Sequence, residues 1–249
     1  NLIVVGRAGG GVDNFDLAAA AAHIGAVVTT PVSTSVAVAE LTLALMLALV
    51  RSVPRADASM KAGGWDKKSF EGAELAGKTL GILGMGNIGA KVARRAAAFD
   101  MDVRGFAPFL DDATILSRGA LAAKLDDIYS ESDVIMLHLP LLSDTRGLLN
   151  ETAFEKMKRG VYIVCAARGG VIDEDALLTA LNRGQVAGAA LDVFATEPPG
   201  TSPLVTHPQV IATPHMGAQT AEAQTRAAMD VADEVGNVLL GKPMRWQVK

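Results

Sequence analysis

The sequence predicts an α/β chain built on a doubly wound parallel sheet. Three observations predict it. From Thr79 onward, apolar runs of strand length alternate with stretches of helical pattern. Those runs are apolar at nearly every position, as strands buried on both faces are. The first of them passes directly into a glycine-rich turn that opens a helix, "GILGMGNIGAKVARRAAAF" over 81–99.

The elements follow in order. "LIVVG" (2–6) is an expected strand, and the chain opens inside it, so it is expected to be a piece of a longer protein. "DNFDLAAAAAHIG" (13–25) has the Asp/Asn start and Gly stop of a capped helix. "AVVTTP" (26–31) is a second short strand. "SVAVAELTLALMLALV" (35–50) is a helix apolar on nearly every side. Glu40 interrupts it and it is short for a bilayer, so it is expected in a core or an interface. "RADASMKAGGWDKKSFEGAEL" (55–75) is polar and is expected to connect two bodies of structure. Strands are then expected at 79–84, 102–107, 133–139, 161–167, 187–193 and 209–213, with helices at 87–99, 121–131, 150–160 and 173–184 between most of them. Such alternation implies a parallel sheet covered on both faces. Residues 220–242 form a long amphipathic helix.

Composition narrows the function. Half of the 249 residues are hydrophobic, enough for a sizeable core in one large domain or two small ones. The net charge of −4 argues against a nucleic-acid partner, which selects a basic face. The single cysteine, Cys165, excludes an internal disulfide and fits a reducing compartment, so a cytoplasmic protein is expected. No basic-then-apolar leader pattern opens the chain. No membrane partner and no metal site are expected.

Gly84, Gly86 and Gly89 form G-x-G-x-x-G between a strand and a helix. That context gives the triplet its meaning. Gly84 permits the tight turn, Gly86 lets backbone approach a pyrophosphate, and Gly89 lets helix and strand pack closely. The helix start then faces the phosphates with free N–H groups. An acid that holds the adenosine ribose is expected at the end of the next strand, where this sequence has Ala107. Asp111 and Asp112 are the nearest alternative acids. Arg104 lies three residues before Ala107 and by strand alternation points to the opposite face, a poor position for a 2′-phosphate ligand.

Four further segments complete the pattern: "GRAGGGVDNFDL" (6–17), "CAARGGVIDEDAL" (165–177), "ALDVFATEPP" (190–199) and "TPHMGAQT" (213–220). With the glycine-rich turn they run in the order found in the D-2-hydroxyacid dehydrogenases, and the chain resembles that family over essentially its whole length, the D-3-phosphoglycerate dehydrogenase branch most. The resemblance implies a Rossmann-type cofactor domain over 32–220, inserted into a substrate domain built from both chain ends. That substrate domain would be incomplete here, with 1–31 as its remnant and 221–249 as the C-terminal helix returning toward it.

The resemblance also implies roles. Arg168 would bind the substrate carboxylate and polarise the 2-oxo group. His215 would be the acid/base and Glu197 its partner. Asp192 would orient the nicotinamide amide. Gly84, Gly86, Asn87, Ile88 and Gly89 would meet the phosphates. Ala107, Leu139, Ala166, Ala167, Gly217 and Ala218 would line the cofactor with Gly10, Arg168 and His215. Arg7 and Gly9 would meet the substrate, Arg7 near a phosphate. Two residues depart from the pattern: Ala107 replaces the ribose-binding Asp, and Cys165 stands where Asn is common. The first leaves NAD as the expected cofactor, with NADP tolerated.

These residue types suit the chemistry. Hydride removal from a 2-hydroxy acid leaves a hydroxyl proton, and imidazole exchanges protons near neutrality. A carboxylate on the other ring nitrogen fixes the tautomer and favours the imidazolium. A guanidinium fork matches a carboxylate and stabilises a developing oxyanion. Taken alone, His215 is as readily a structural histidine, as His23, His138 and His207 are read; Asp192 as readily a cap; Arg7 as readily a surface charge. The resemblance implies NAD-dependent oxidation of a small-molecule 2-hydroxy acid, D-3-phosphoglycerate, in serine biosynthesis. It also favours a homodimer or higher homo-oligomer through helix 35–50. Glyoxylate/hydroxypyruvate reductase or another D-2-hydroxyacid dehydrogenase is the alternative within the class, and a nucleotide-sensing corepressor-like module the alternative outside it.

Overall fold

The computed structural model describes residues 2–12 and 15–248. Its elements, in chain order, are β1 (Val4–Gly6), α1 (Leu17–His23), β2 (Ala26–Val28), α2 (Ser35–Val50), α3 (Val53–Lys61), β3 (Thr79–Leu83), α4 (Asn87–Ala96), β4 (Asp102–Phe106), α5 (Asp112–Ser117), β5 (Leu121–Ala122), α6 (Leu125–Glu131), β6 (Val134–Leu137), α7 (Glu151–Lys156), β7 (Val161–Cys165), α8 (Glu174–Asn182), β8 (Val186–Leu191), β9 (Val210–Ala212), α9 (Ala221–Leu239) and β10 (Gln247–Val248). Single 3-10 turns lie at Lys67–Phe70 and Ala97–Phe99. The chain divides into two units, Asn1–Val38 with Gly217–Lys249, and Ala39–Met216.

The first unit is a small sheet in the order β1-β2-β10, with β1 parallel and β10 antiparallel to β2. Helix α9 packs on it closely enough that a Cβ at Gly6 would lie 2.7 Å from the Cγ2 atoms of Val231 and Val235. Arg245 secures the end of the unit: its Nε donates to Glu234 Oε1 at 2.6 Å and its backbone N–H to Oε2 at 2.8 Å. Helix α1 starts at an Asp16 cap that accepts from the Ala19 amide at 2.8 Å, three residues after the expected start; Asp13 and Asn14 lie outside the described residues.

The second unit is a seven-stranded, all-parallel sheet in the order β5-β4-β3-β6-β7-β8-β9. The chain runs outward from β3 through β4 to β5, then crosses back to β6 and outward the other way. The order therefore reverses between β3 and β6, and a crevice opens at their carboxyl ends. Alternation sorts the strand residues into two cores. Val134 and Met136 of β6 face one side with Val92, Ala93 and Ala96 of α4 and Met46 and Leu49 of α2. Ile135 and Leu137 face the other with Phe154 of α7 and Leu177 of α8. Each fully buried Leu or Ile stabilises the fold by about 1.5–3 kcal/mol. Gly81 of β3 keeps one of these contacts close: a Cβ there would lie 2.6 Å from Ile128 Cγ2 on α6.

Three sequence expectations are corrected. Residues 55–75 are more than a connection, since α3 occupies Val53–Lys61 and a 3-10 turn occupies Lys67–Phe70. Residues 121–131 are not one helix: Leu121 and Ala122 pair with Arg104 and Gly105 as the edge strand β5. Backbone pairing with β4 overrides the helical propensity of that alanine-rich stretch. Helix α5 and strand β10 were not expected, because six and two residues are too few to display a period. Among the described residues no single helix is long and apolar enough to cross a membrane, although α2 and α3 together pass that test as a bent pair.

Candidate active site

The expected site residues of the second unit gather at the carboxyl edge of its sheet. Gly84 follows β3, Ala107 follows β4, Leu139 follows β6, Ala166 to Arg168 follow β7, Asp192 follows β8 and His215 follows β9. A parallel sheet brings successive strand ends to one edge, which explains how residues over 100 positions apart can share a site.

The turn after β3 is glycine for measurable reasons. Gly84 has φ of +101°, and a Cβ there would lie 2.5 Å from the His138 carbonyl oxygen and 3.1 Å from Leu139 Cδ2. A Cβ at Gly89 would lie 2.0 Å from the Gly84 carbonyl oxygen. At Gly86 a Cβ would meet nothing within 4 Å, so the approach to the turn is open. Gly86 is also the N-cap of α4 and supplies no side-chain cap. The first amides of α4, from Asn87 and Ile88 onward, are thus available to an anion at the positive end of the helix dipole. An open glycine-floored cradle ending in an uncapped helix fits a dinucleotide pyrophosphate.

Next to the turn, Ala107 is half-buried and packs against the α4-side core. The two nearby acids lie at the start of α5. Asp111 caps α5, accepting from the Thr114 amide at 2.7 Å, and the hydrogen bonds from Thr114 hold its carboxyl below the usual range. Asp112 is exposed in the first turn of that helix. Arg104 is engaged elsewhere, with Asp102 at 3.1 Å and with Glu131. Arg118, which lies in no recognised motif, donates from Nη1 to the Met85 carbonyl inside the turn. No motif spacing signals a contact across 33 positions.

At the far side of the edge, His215 Nδ1 lies 2.7 Å from Glu197 Oε2. The Phe194 amide donates to Glu197 Oε1 at 3.1 Å, which steadies the carboxylate. His215 has φ of +51°, a left-handed conformation uncommon outside glycine. Asp192 holds it there. This carboxylate is 1% exposed, and its Oδ1 accepts from Thr213 Oγ1 at 2.6 Å and from the Met216 amide at 2.9 Å, bracketing the histidine. Strain of about 1–3 kcal/mol of this kind persists where surrounding structure over-determines it. Arg168 is half-buried in the turn after β7, with Nη1 donating to the Ala167 carbonyl at 2.7 Å.

Two residues missed in the sequence complete this side. A Cβ at Gly169 would lie 1.8 Å from the Phe194 carbonyl oxygen, so the Arg168 turn lies directly against the segment leading to Glu197. Glu174, at the start of α8, accepts from the Ala195 amide at 2.6 Å and anchors the same segment. Cys165 is 1% exposed in the core, and burial pushes its thiol up to about 11. That is the setting of an inert packing residue.

Arg7, Gly9, Gly10, Gly217 and Ala218 belong to the first unit. There the Gly9 amide donates to Thr30 Oγ1 at 2.8 Å, and Gly10 comes so near Pro31 that a Cβ would lie 3.2 Å from its Cα. Arg7 is held by its backbone to Val28, while its buried Nε has no hydrogen-bond partner among the described residues.

Comparison with known proteins agrees with this geometry. The family model described as D-isomer specific 2-hydroxyacid dehydrogenase, NAD binding domain, matches residues 43–217. The D-3-phosphoglycerate dehydrogenase of Rattus norvegicus is 49% identical over 243 residues, which are 98% of this chain and 46% of that protein. The D-3-phosphoglycerate dehydrogenase of Bacillus subtilis is 46% identical over 244 residues, again 98% of this chain and 46% of that protein. The chain thus spans about half the length of these relatives. A glyoxylate reductase structure from Paecilomyes thermophila has a TM-score of 0.91 at 36% identity, covering 99% of this chain and 75% of that one. With a family model matched over most of its length, the chain belongs to the D-isomer specific 2-hydroxyacid dehydrogenase family.

Proposed function

We propose that this chain carries the dinucleotide-binding and catalytic portion of an NAD-dependent D-3-phosphoglycerate dehydrogenase, which oxidises its substrate to 3-phosphohydroxypyruvate and feeds serine synthesis. The single observation that carries the chemistry is the 2.7 Å contact of His215 Nδ1 with Glu197 Oε2 at the sheet edge that also holds Arg168 and the glycine-rich turn. NAD, when bound, supplies the hydride acceptor. Gly84, Gly86, Asn87, Ile88 and Gly89 hold its phosphates, and Leu139, Ala166 and Ala167 line its path. Arg168 binds the substrate carboxylate with its fork and favours the electron-rich oxygen as it forms. With Nδ1 engaged by Glu197, His215 takes the hydroxyl proton on Nε2, and Glu197 stabilises the resulting imidazolium. In reduction the same imidazolium returns the proton.

The identity to phosphoglycerate dehydrogenases over 98% of the chain supports this substrate choice, and Arg7 is the cation assigned to the substrate phosphate. The glyoxylate reductase likeness supports the second reading, a glyoxylate/hydroxypyruvate reductase. The first unit is assigned to the substrate domain, and the protein to the cytoplasm. Helix α2, with Glu40 and Ala44 exposed and Leu41 and Leu47 only partly covered, is assigned to a homo-oligomer interface. Ala107 leaves NADP tolerated beside NAD. The test, on the full-length protein, is reduction of NAD followed by absorbance with D-3-phosphoglycerate, glycerate and lactate, oxidation of NADH with glyoxylate and hydroxypyruvate, and an NADH titration. Turnover confined to phosphoglycerate is expected. Reduction of glyoxylate or hydroxypyruvate alone would select the second reading, and firm NADH binding with no turnover of any 2-hydroxy acid would select a nucleotide-sensing module.

A further inference from the structure

Where the family resemblance implies a ribose-binding acid the chain has Ala107, and a cation, Arg118, reaches the turn beside it. Met85 stands between the first two glycines, and its side chain lies over β4: a Cβ at Gly105 would lie 2.7 Å from Met85 Cγ and 3.2 Å from Ala120 Cβ. Gly105 and Ala107 are two positions apart and so lie on one side of the strand line. Met85 and Ala120 thus meet over Gly105, two positions before Ala107, and define one corner of the turn. Arg118, two residues before Ala120, reaches into this corner to the Met85 carbonyl. The other arginines nearby are committed. Arg104 is paired with Asp102 and Glu131, Arg95 lies 3.6 Å from Glu40, and Arg94 turns to the Ser117 carbonyl. Among the described residues no carboxylate lies within 4.0 Å of Arg118, a half-buried guanidinium with one donor spent on the turn.

A guanidinium carries five N–H donors in a fixed fork that matches a phosphate, and anchoring one of them limits the freedom lost on binding. The ribose-binding acid of an NAD-selective site repels a 2′-phosphate, and that repulsive element is absent at Ala107. We propose that Arg118 is a specificity-determining residue that receives the 2′-phosphate of NADP at the corner of Ala107 and Met85. This makes the site competent for both dinucleotides. The proposal rests on reading the glycine-rich turn as the dinucleotide site.

Calorimetric titration of the 249-residue chain with NADH and NADPH, unmodified and as Arg118→Gln, tests it. In the unmodified chain the two dissociation constants are expected within about tenfold of each other, and Arg118→Gln is expected to raise that for NADPH by about tenfold or more, the loss of a charge-assisted contact. The constant for NADH, which has no 2′-phosphate, is expected to move less than about threefold on the same reasoning, and its retention reports that the variant is folded. An equal change for both ligands, or no change for either, overturns the role of Arg118, as does an unmodified chain that binds NADH but not NADPH. Binding of neither by the unmodified chain overturns the reading of the turn itself. A measurement free of any variant is the salt dependence: affinity for NADPH should fall more steeply with added KCl than affinity for NADH. Parallel slopes overturn the proposal.

Discussion

At the scale of single residues, the site divides into groups that act on a ligand and groups that hold those groups. His215 and Glu197 are legible in the sequence only through the motifs that carry the family resemblance. The bracket that Asp192 builds around His215 is not, because it depends on two contacts that cross from β8 to the loop after β9. Glu174 and Arg118 escape notice for the same reason, since each acts across a distance in sequence that no local pattern encodes. The division has consequences that can be measured. On the proposed reading, His215→Ala in the full-length protein removes the proton acceptor and leaves the turn intact. It is expected to lower kcat at least a hundredfold while the dissociation constant for NADH stays within about threefold, in line with the usual worth of a general acid/base. Activity retained within tenfold would place the base elsewhere. At Ala107 the expectation reverses: Ala107→Asp supplies the absent ribose acceptor. It should tighten NADH about tenfold and weaken NADPH, since a hydrogen bond to a charged group contributes about 1.5–3 kcal/mol. An unchanged NADH constant would mean that another group already holds the ribose.

At the scale of elements, the central strands could be read directly because burial on both faces leaves them apolar throughout, as the burial of all four residues of β6 illustrates. The edge could not. Strand β5 has two exposed residues in a short alanine-rich run that reads as helix, and its pairing is decided by β4. Loop geometry is partly hidden for the same physical reason, since a glycine in a sequence does not state what lies over it. Gly169 is the informative case. With the Phe194 carbonyl oxygen 1.8 Å from where a Cβ would stand, Gly169→Ala must displace backbone, and the displaced segment leads to Glu197. Forced overpacking of this kind costs about 1–3 kcal/mol of stability. A shift near 1 Å in a positioned group can cost up to about a hundredfold in rate. The expected result is a lower melting temperature and a kcat reduced by about tenfold or more. Steady-state kinetics beside a thermal melt decide it, and a wild-type kcat would show that the segment before Glu197 yields without moving the carboxylate.

At the scale of the whole molecule, stability is tied to pH through one buried histidine that the sequence marks only as not catalytic. His138 follows β6, and its two ring nitrogens are buried with no hydrogen-bond partner among the described residues. The residue is partly exposed as a whole, but the surface it keeps is not on those nitrogens. Burial therefore penalises the imidazolium and pushes the imidazole down to about 4. The unfolded chain titrates near the ordinary histidine value of about 6.5. Between these two values the unfolded state binds a proton that the folded state does not, so stability falls as pH is lowered through about 6.5 and the loss levels off near 4. Its size follows from the gap: stability should be lower by about 2 kcal/mol at pH 5 than at pH 7.5 from this group alone. Carboxylates titrate over the lower part of that range too, so the group is isolated by comparison. His138→Leu keeps a side chain of similar bulk, leaves no hydrogen bond broken and has nothing to protonate. Chemical denaturation of both proteins at pH 7.5 and pH 5 should give curves whose difference in stability shifts by about 2 kcal/mol in favour of the leucine variant on going to the lower pH. If both proteins lose stability in parallel, the His138 ring reaches water or a partner, and the crevice beside Gly84 is wetter than the buried nitrogens imply.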